Sequence, residues 1–239
     1  QFTEATVGAL RLRKDKNEFT TLKENALIND RAFLAAADSI KPGMSELEVG
    51  SVVRQHHSSE GARTEFCIIG AGGNGAFPHH ATGETKIKNG DAIVVDIGGR
   101  RNGFPSDMTR MVVVGEPPKG YEEVHQIVED AVQAALAAAK PGVKAKEVDR
   151  AARDVIAKAG YGEYFVHRTG HGLGIETHEP PYITSTSQTI LEEGAVFSIE
   201  PGIYLPGRFG IRLEDIVILR SDGPEILSNL PRDAVHVSA

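Results

Sequence analysis

Two carboxylates, Asp96 and Asp107, stand beside apolar runs in the first half of this chain. Asp96 closes the apolar run 92–95, and Asp107 follows 11 positions later (107 − 96), ahead of the apolar run 111–114. Apolar runs separated by Gly and Pro predict two strands joined by a turn, which brings the two acids close together. Half-buried acids are costly unless an Arg or Lys, a shared proton or a metal ion neutralises them. Taken alone, the pair is more typical of surface acids that flank buried strands.

The second half of the chain repeats the first and supplies two more acids. The Lys-Pro-Gly triplet at 41–43 recurs at 140–142, a shift of 99, and the stretch 87–96 recurs at 191–200, a shift of 104. The second shift places Glu200 on Asp96, and Glu214 corresponds roughly to Asp107. A single repeat of this length is too long for a solenoid. It predicts two similar helix-helix-strand halves about a pseudo-twofold axis, each presenting two carboxylates to one central site.

These four carboxylates, together with one imidazole, form a ligand set suited to divalent ions such as Mn²⁺, Co²⁺ or Zn²⁺. The members are Asp96, Asp107, His171, Glu200 and Glu214. Five side chains exceed the three usual at a mononuclear catalytic zinc site, and carboxylates can bridge, so the set fits two ions roughly 3.5–4 Å apart. Such a pair supplies hydroxide near neutral pH and polarises a carbonyl. The predicted chemistry is therefore hydrolysis of an amide bond.

The helices and strands that position these residues are predicted from hydrophobic periodicity, helix-capping residues and Gly/Pro breaks. Helices are predicted at 17–40, after the capping box 45–48, at 121–139 and at 145–159. Strands are predicted at 65–70, 92–95, 111–114, 195–200 and 211–220, the last carrying Glu214. The glycine-rich stretch 71–75 is predicted to be a flexible loop, and His56 and His57 are predicted to lie on a solvated helix end. No linker composition interrupts the chain, which predicts one compact unit.

Composition limits the class of protein. The 239 residues are 40% apolar and 25% charged, as in an ordinary globular protein, and the net charge of −7 argues against a nucleic-acid or anionic-membrane partner. No apolar run approaches the roughly 18 residues that a membrane helix needs. The single cysteine, Cys67, excludes an internal disulfide and a cysteine-built zinc site. We therefore expect a cytoplasmic protein. The chain begins at Gln1, so we expect a processed form or a piece of a longer chain.

Several short motifs together resemble the pita-bread metallopeptidases. They are Pro78-His79, Asp96, Asp107, 169–172 (Thr-Gly-His-Gly), His178-Glu179, 198–202 (Ser-Ile-Glu-Pro-Gly) and 212–215 (Arg-Leu-Glu-Asp). The chain is more similar to the Xaa-Pro branch, the prolidases and aminopeptidase P, than to the methionine aminopeptidases. The resemblance implies an α+β pita-bread (creatinase/aminopeptidase) fold, with two pseudo-twofold-related α-β halves around a central antiparallel sheet. We expect the catalytic domain at 15–239, preceded by a lead-in segment at 1–14.

The same resemblance implies roles for individual residues. Asp96 would bind one metal ion, His171 and Glu200 would bind the second, and Asp107 and Glu214 would bridge the two. Glu200 would also carry a proton to the leaving nitrogen. Further residues would contact the substrate: the catalytic histidines His79 and His178, and, lining the site, His167, Tyr204 and Arg212. The glycines at 172–174 would keep the backbone close to the metals, where side chains would intrude.

The implied activity is that of a dinuclear-metal-dependent exopeptidase, which uses metal-activated hydroxide to hydrolyse the Xaa-Pro bond at the N-terminus of dipeptides or short peptides. Mn²⁺ is the first choice of metal, with Co²⁺ or Zn²⁺ as alternatives. A methionine aminopeptidase and a non-catalytic pita-bread domain that binds peptides or proteins are the competing interpretations. Many Xaa-Pro peptidases carry an additional N-terminal domain that helps to form a dimer. This chain is thus predicted to be an excised catalytic domain or a naturally short member, and a homodimer stays open.

Overall fold

The computed structural model describes residues 7–239, so residues 1–6 of the predicted lead-in segment lie outside the described part of the chain. The α-helices are α1 (Ala9–Leu12), α2 (Lys16–Ser39), α3 (Glu46–Ser59), α4 (Tyr121–Ala138) and α5 (Ala145–Lys158). Short 3₁₀ helices lie at Gly72–Ala76 and Gly162–Tyr164. The four longer α-helices confirm the helices predicted from the sequence. The capping box at Ser45 is confirmed too, since Ser45 Oγ accepts from the Glu48 amide and the Glu48 carboxylate accepts from the Ser45 amide.

In each half the strands follow a pair of helices. They are β1 (Arg63–Ala71), β2 (Ala92–Arg101), β3 (Phe104–Pro105), β4 (Met108–Val114), β5 (Gly170–Gly172), β6 (Glu179–Ile183), β7 (Val196–Ile199), β8 (Gly202–Leu205), β9 (Phe209–Arg212), β10 (Asp215–Arg220), β11 (Gly223–Ile226) and β12 (Val235–Val237). One sheet has the order β1-β2-β4-β12, with β3 beside β2, and the other has the order β11-β10-β7-β5-β6. Strands β8 and β9 form a separate hairpin.

Antiparallel pairing dominates, and the two sheets meet at their centre. Among the described strands, β12 and β4 form the parallel pair, and the other pairs are antiparallel. The sheets are joined where the Glu214 amide donates to the Thr109 carbonyl over 3.2 Å. This contact brings the predicted acid-bearing strands of the two halves side by side, in agreement with the predicted central antiparallel layer.

The predicted duplication is visible in the backbone hydrogen bonds. The Gly43 amide donates to the Ile87 carbonyl over 2.9 Å, and the Gly142 amide donates to the Leu191 carbonyl over 2.8 Å. These two bonds are related by the shifts of 99 (142 − 43) and 104 (191 − 87) that the sequence shows. In each half, therefore, the same backbone hydrogen bond joins the turn between two helices to the segment that precedes a central strand.

The burial of β2 and β4 on both faces explains their nearly continuous apolar sequences. On one face Ile93, Val95 and Ile97 pack into a core with α2 and α3. On the other face Ala92 and Val94 join a second core with α4 and α5. Because side chains alternate along a strand, the next position on that second face is Asp96, which points toward the other half of the molecule.

Three local predictions were wrong. The single strand 211–220 is two strands, since the chain leaves the hairpin at Arg212 and joins β7 at Asp215, so Glu214 lies in the gap between two sheets. The flexible loop at 71–75 is largely a 3₁₀ helix. His57 is fully buried rather than solvated. Its ring nitrogens pair with Thr64 Oγ1 and Asn29 Oδ1, each over 3.0 Å, so the buried ring is satisfied.

In the described part of the chain, no helix has the length and apolar character needed to span a membrane.

Candidate metal centre

The five predicted ligands converge from both halves of the molecule. Asp96 lies on β2 and Asp107 lies between β3 and β4, while His171 is the middle residue of β5. Glu200 directly follows β7, and Glu214 lies between β9 and β10. Each of the acids thus stands on a strand or at a strand end, where the flanking backbone pairing fixes its position.

Ligand atoms from these residues approach one another in overlapping groups. Within 4.8 Å of one another lie oxygens of Asp96, Asp107 and Glu214, and so do ligand atoms of His171, Glu200 and Glu214. A third group of the same span joins Asp107 and His171 to His178. Asp107, His171 and Glu214 each belong to two of these groups, so the three groups overlap in one cluster.

Burial of these acids creates an excess of negative charge inside the protein. Burial first, and neighbouring carboxylates second, raise the pKa of Asp107 and of Glu214 well above the ordinary values. Burial likewise raises the pKa of Glu200 to about 7. Among residues 7–239, Asp96 Oδ1 has no hydrogen-bond partner although it is buried. Buried acids that repel one another and leave an oxygen without a partner are stabilised by cations.

His171 presents a lone pair to this cluster. Its Nδ1 contacts the Gly172 carbonyl over 3.1 Å, and a carbonyl can only accept, so Nδ1 carries the proton. Burial lowers the pKa of His171 to about 3, so the ring is neutral and Nε2 is an acceptor. Nε2 nevertheless lies 3.3 Å from Glu200 Oε1 and 3.5 Å from Asp107 Oδ2. Acceptors that face one another in this way fit divalent cations held between them.

A hydrogen-bond network behind the acids holds them in place. Arg212 donates from Nη2 to Asp96, from Nη1 to Tyr204 Oη over 2.7 Å, and from Nε to Thr109 Oγ1 over 3.1 Å. Thr109 Oγ1 in turn donates to Glu214 over 2.7 Å. One guanidinium therefore orients two acids that belong to different halves of the repeat.

The three residues predicted to line the site divide into two groups. His167 and Arg212 line a cavity of about 640 Å³ that also contains the five predicted ligands. Tyr204 is not among the described residues that line it. Its hydroxyl lies behind the wall, 2.7 Å from His167 Nε2 and 2.7 Å from Arg212 Nη1. In this structure Tyr204 therefore orients two side chains of the cavity wall rather than facing the cavity itself.

The two predicted catalytic histidines also face this cavity. His79 and His178 are both exposed and line it, and the ring centroid of His178 lies 4.1 Å from that of His171. His80, the neighbour of His79, is instead turned away, with Nε2 2.8 Å from Glu46 Oε2. Of the two adjacent histidines, His79 thus lines the cavity, whereas His80 is held by Glu46.

Two residues of the site escaped the sequence reasoning. Arg168 lines the cavity although only its neighbour His167 was singled out. Glu46, fully buried, receives four hydrogen bonds from the segment that carries His79. Its place directly after the helix cap Ser45 is typical of a solvated first-turn acid, so the sequence carried no signal of this burial.

The glycines near His171 are needed for a different reason from the one predicted. A Cβ at Gly172 would lie 2.3 Å from the Pro180 carbonyl oxygen, and one at Gly174 would lie 2.3 Å from Glu179 Oε1. The crowding therefore comes from β6 and the buried Glu179 rather than from the ligand side of the strand.

A protein-family profile and several curated proteins match this chain. The profile of metallopeptidase family M24 matches residues 20–221. The "Probable dipeptidase PepE" of Mycobacterium tuberculosis strain H37Rv is 42% identical over 230 residues, which cover 95% of this chain and 61% of that protein. The "Xaa-Pro dipeptidase" of Pyrococcus furiosus is 40% identical over 226 residues, which cover 94% of this chain and 65% of that protein.

Solved structures give the same picture. The crystal structure of an X-Pro aminopeptidase from Thermotoga maritima MSB8 superposes with a TM-score of 0.96 at 40% identity, covering 98% of this chain and 67% of that chain. The chain spans about three fifths of the length of the curated relatives named above, at 61% and 65%.

Proposed function

The chain belongs to metallopeptidase family M24, and from that membership we propose that it hydrolyses the bond between an N-terminal residue and proline in dipeptides or short peptides. The single observation that carries the proposal is the convergence of four acids and His171 in one cavity. The relatives are named as dipeptidases, an Xaa-Pro dipeptidase and an X-Pro aminopeptidase, which supports the same substrate class. The catalytic unit of this proposal is 15–239.

Five residues would hold two divalent ions. Asp96 would hold one ion, His171 and Glu200 would hold the other, and Asp107 and Glu214 would be shared between the two. When bound, such ions supply a hydroxide nucleophile near neutral pH and polarise a carbonyl. We propose Mn²⁺ as the metal. Co²⁺ and Zn²⁺ are alternatives, because a carboxylate-rich site with one imidazole accepts all three ions.

The remaining chemistry falls to side chains of the chain itself. Glu200, whose Oε1 accepts a hydrogen bond from Ser198 over 3.0 Å, would carry a proton to the leaving prolyl nitrogen. His79 and His178 line the cavity and would donate hydrogen bonds to the substrate backbone as charge develops on the scissile carbonyl. His167 and Arg212 complete the wall, and Tyr204 holds both in place. The partners are small peptides with proline at the second position, and the assembly is proposed as monomer or homodimer.

A substrate panel tests this proposal. Xaa-Pro dipeptides, Xaa-Pro-Yaa peptides and Met-Ala peptides are incubated with the protein and Mn²⁺, Co²⁺ or Zn²⁺, and free amino acids are quantified. We expect cleavage of the Xaa-Pro bond and none of Met-Ala. Turnover of Met-Ala without Xaa-Pro would establish a methionine aminopeptidase. Fewer than about one bound ion per chain by metal analysis, with no turnover, would support a peptide-binding domain.

A further inference from the structure

The segment ahead of α2 places a lysine inside the protein. The Lys14 side chain is 2% exposed, and its Nζ lies 2.9 Å from Oε1 of Glu179, whose side chain is also 2% exposed. Arg11, in the same segment, donates from Nη2 to the other oxygen, Oε2. The Lys14 amide donates to the Gly194 carbonyl over 2.8 Å, which fixes the backbone from which the lysine projects. Glu179 therefore receives two cations from a segment that is remote in the sequence.

The Lys14–Glu179 pair is an expensive way to fill the interior. Both groups lose hydration when they are buried, and their attraction offsets only part of that cost, so apolar side chains of similar size would often serve stability as well. The space around the pair is also closed, since a Cβ at Gly174 would lie 2.3 Å from Glu179 Oε1 and 2.8 Å from Lys14 Cε. Stability alone thus gives no reason for charges at these two positions, which points to a geometric role.

The Glu179 carboxylate organises the loop that precedes it. This loop, residues 174–178, is called the His178 loop below. Glu179 Oε2 accepts from the Glu176 amide over 3.2 Å, and the Glu176 carbonyl accepts from the Gly174 amide over 3.1 Å. The carboxylate that Lys14 and Arg11 hold is therefore also an acceptor for the backbone of the loop.

His178 depends on this loop for its position. Its ring lines the cavity and touches the His171 ring edge-on, with 4.1 Å between the centroids. In the part of the chain that the structure describes, no hydrogen bond to the His178 ring holds it there. Arg100 supports the middle of the loop, because its Nη1 donates to the Ile175 carbonyl over 2.8 Å. The end of the loop beside His178 is left to Glu179.

We infer that Lys14 and Arg11 are positioning residues, which act through Glu179 and hold the His178 loop so that His178 faces the substrate. The inference rests on the proposed function, in which His178 donates to the scissile carbonyl as charge develops there. It extends the proposed catalytic unit of 15–239 to two cations of the lead-in segment.

Kinetic constants test this role. Lys14→Met keeps the length of the side chain and removes its charge, whereas Lys14→Arg keeps the charge. The control Arg13→Gln breaks the Arg13–Glu192 pair, in which both side chains are more than half exposed. On an Xaa-Pro dipeptide at saturating Mn²⁺, Lys14→Met should lower kcat by about 10- to 100-fold, as expected for a misplaced catalytic group, with KM little changed. Lys14→Arg should recover part of kcat, and Arg13→Gln should match the wild type.

A double variant separates positioning from stability. Lys14→Met combined with Glu179→Leu replaces the buried ion pair by apolar side chains, so it should melt at a higher temperature than Lys14→Met alone. Its kcat should nevertheless stay low, because the Glu176 amide has lost its acceptor. Recovery of kcat together with the melting temperature would overturn the inference.

Hydrogen exchange reports on the His178 loop without turnover. In the presence of Mn²⁺, the amides of 174–178 should exchange faster in Lys14→Met than in the wild type, and at the wild-type rate in Arg13→Gln. Equal exchange of this loop in Lys14→Met and the wild type would overturn the inference. Faster exchange in Lys14→Met, together with a wild type that does not hydrolyse Xaa-Pro bonds, would support the hold on the loop and contradict only the proposed function.

Discussion

Asp107 illustrates how one side chain can belong to two neighbouring ligand groups. Its oxygens lie near those of Asp96 and Glu214 on one side and near His171 Nε2 on the other. Burial and the charge of Glu214 raise its pKa well above the ordinary value. The same carboxylate is therefore unfavourable without cations and favourable with them, which makes it the most informative single position for the two-metal proposal.

We predict that Asp107→Asn abolishes Xaa-Pro turnover while leaving the fold intact. Asn has nearly the same size, but it lacks the charge that a bridging ligand contributes. Because even the outer partners of metal ligands cost about 10- to 100-fold when removed, the loss should be at least about 100-fold. Initial rates at saturating Mn²⁺ measure it, with circular dichroism as the check of folding.

A comparison without metal gives this variant its control. In the metal-free protein Asp107→Asn should melt no earlier than the wild type, since it removes one of several mutually repelling acids. Near-normal turnover would count decisively against a bridging role for Asp107.

At the scale of elements, the first residue of α3 holds the segment that carries His79. Glu46 Oε1 accepts from the Ala71 amide and Asn74 Nδ2, each over 2.9 Å. Its Oε2 lies 2.8 Å from His80 Nε2 and accepts from the Gly83 amide over 3.0 Å. The counterpart of Glu46 in the second half, at the 99-residue shift, is Ala145. The two halves therefore share a helix start, but only the first uses it to fix a segment of the site.

We predict that Glu46→Gln lowers both stability and kcat. In Gln an NH₂ group replaces one carboxylate oxygen, and it cannot accept the hydrogen bonds that this oxygen accepts in Glu46. Each buried donor left without an acceptor costs about 1–3 kcal/mol. Urea unfolding measures the stability, and kcat at saturating substrate reports the position of His79. Lys86→Ala, which breaks the exposed Lys86–Glu48 pair, serves as the control and should change stability by less than about 1 kcal/mol. A kcat equal to that of the control would show that Glu46 is only structural.

The contact between β5 and β7 is a second element on which the site depends. A Cβ at Gly170 would lie 1.9 Å from the Ser198 carbonyl oxygen, so any side chain there would push the two strands apart. His171 is the middle residue of β5 and Glu200 directly follows β7, and the His171 amide donates to Ser198 Oγ over 2.9 Å.

We predict that Gly170→Ala destabilises the protein by about 1–3 kcal/mol or more and lowers its affinity for metal, because overpacking displaces β5 together with His171. Gly73→Ala is the matched control, since its added Cβ would make only ordinary contacts at 3.7 Å and beyond. Urea unfolding and calorimetric titration with Mn²⁺ measure the two effects. Metal affinity in Gly170→Ala equal to that in Gly73→Ala would contradict the prediction.

At the scale of the whole molecule, the acid cluster couples stability to pH. Glu200 has an ordinary pKa of 4.5 and a pKa of about 7 in the folded protein, raised by burial. The folded state therefore holds this proton more tightly than the unfolded state does. The resulting stability is fully present below about pH 4.5 and is lost as pH rises through about 7. Buried histidines act in the opposite sense, since burial lowers the pKa of His171 and of His167 to about 3.

We predict that the melting temperatures of the wild type and of Glu200→Gln differ in a pH-dependent way. Because both proteins have the same histidines, this difference reports the contribution of Glu200 alone. Without metal, the two should melt at similar temperatures near pH 4.5, and Glu200→Gln should melt at the higher temperature at pH 7.5. Calorimetric scans across this range measure the difference. Glu192→Gln, at an exposed acid, is the control and should show no such trend.

Added Mn²⁺ at pH 7.5 should reverse the order, because the wild type keeps the full ligand set and a ligand stabilises the state that binds it. A difference that stays constant with pH, or Glu200→Gln gaining as much as the wild type from Mn²⁺, would contradict a metal-binding role for Glu200.

The sequence by itself predicted most of the elements and the set of candidate ligands. Apolar periodicity and caps predicted the four longer helices, and the 99- and 104-residue shifts predicted two similar halves, which form matching backbone hydrogen bonds. Apolar runs on either side of a Gly/Pro turn predicted the two strands that bring Asp96 and Asp107 close together. These predictions succeed because they depend on local geometry, in which neighbouring residues determine the conformation.

Only the tertiary structure decided which side chains have partners. It buried His57 and Glu46, placed Tyr204 behind the cavity wall, ended β9 at Arg212 so that Glu214 lies between two sheets, and left Arg168 without a partner among residues 7–239. Each of these outcomes depends on contacts between segments far apart in the chain, such as Asp96 with Arg212, 116 residues away. Burial and pairing set the charge state of a group, and they exist only once such segments have met. The set of candidate ligands could thus be named from the sequence, whereas the hydrogen-bond and ion-pair partners of each group required the folded chain.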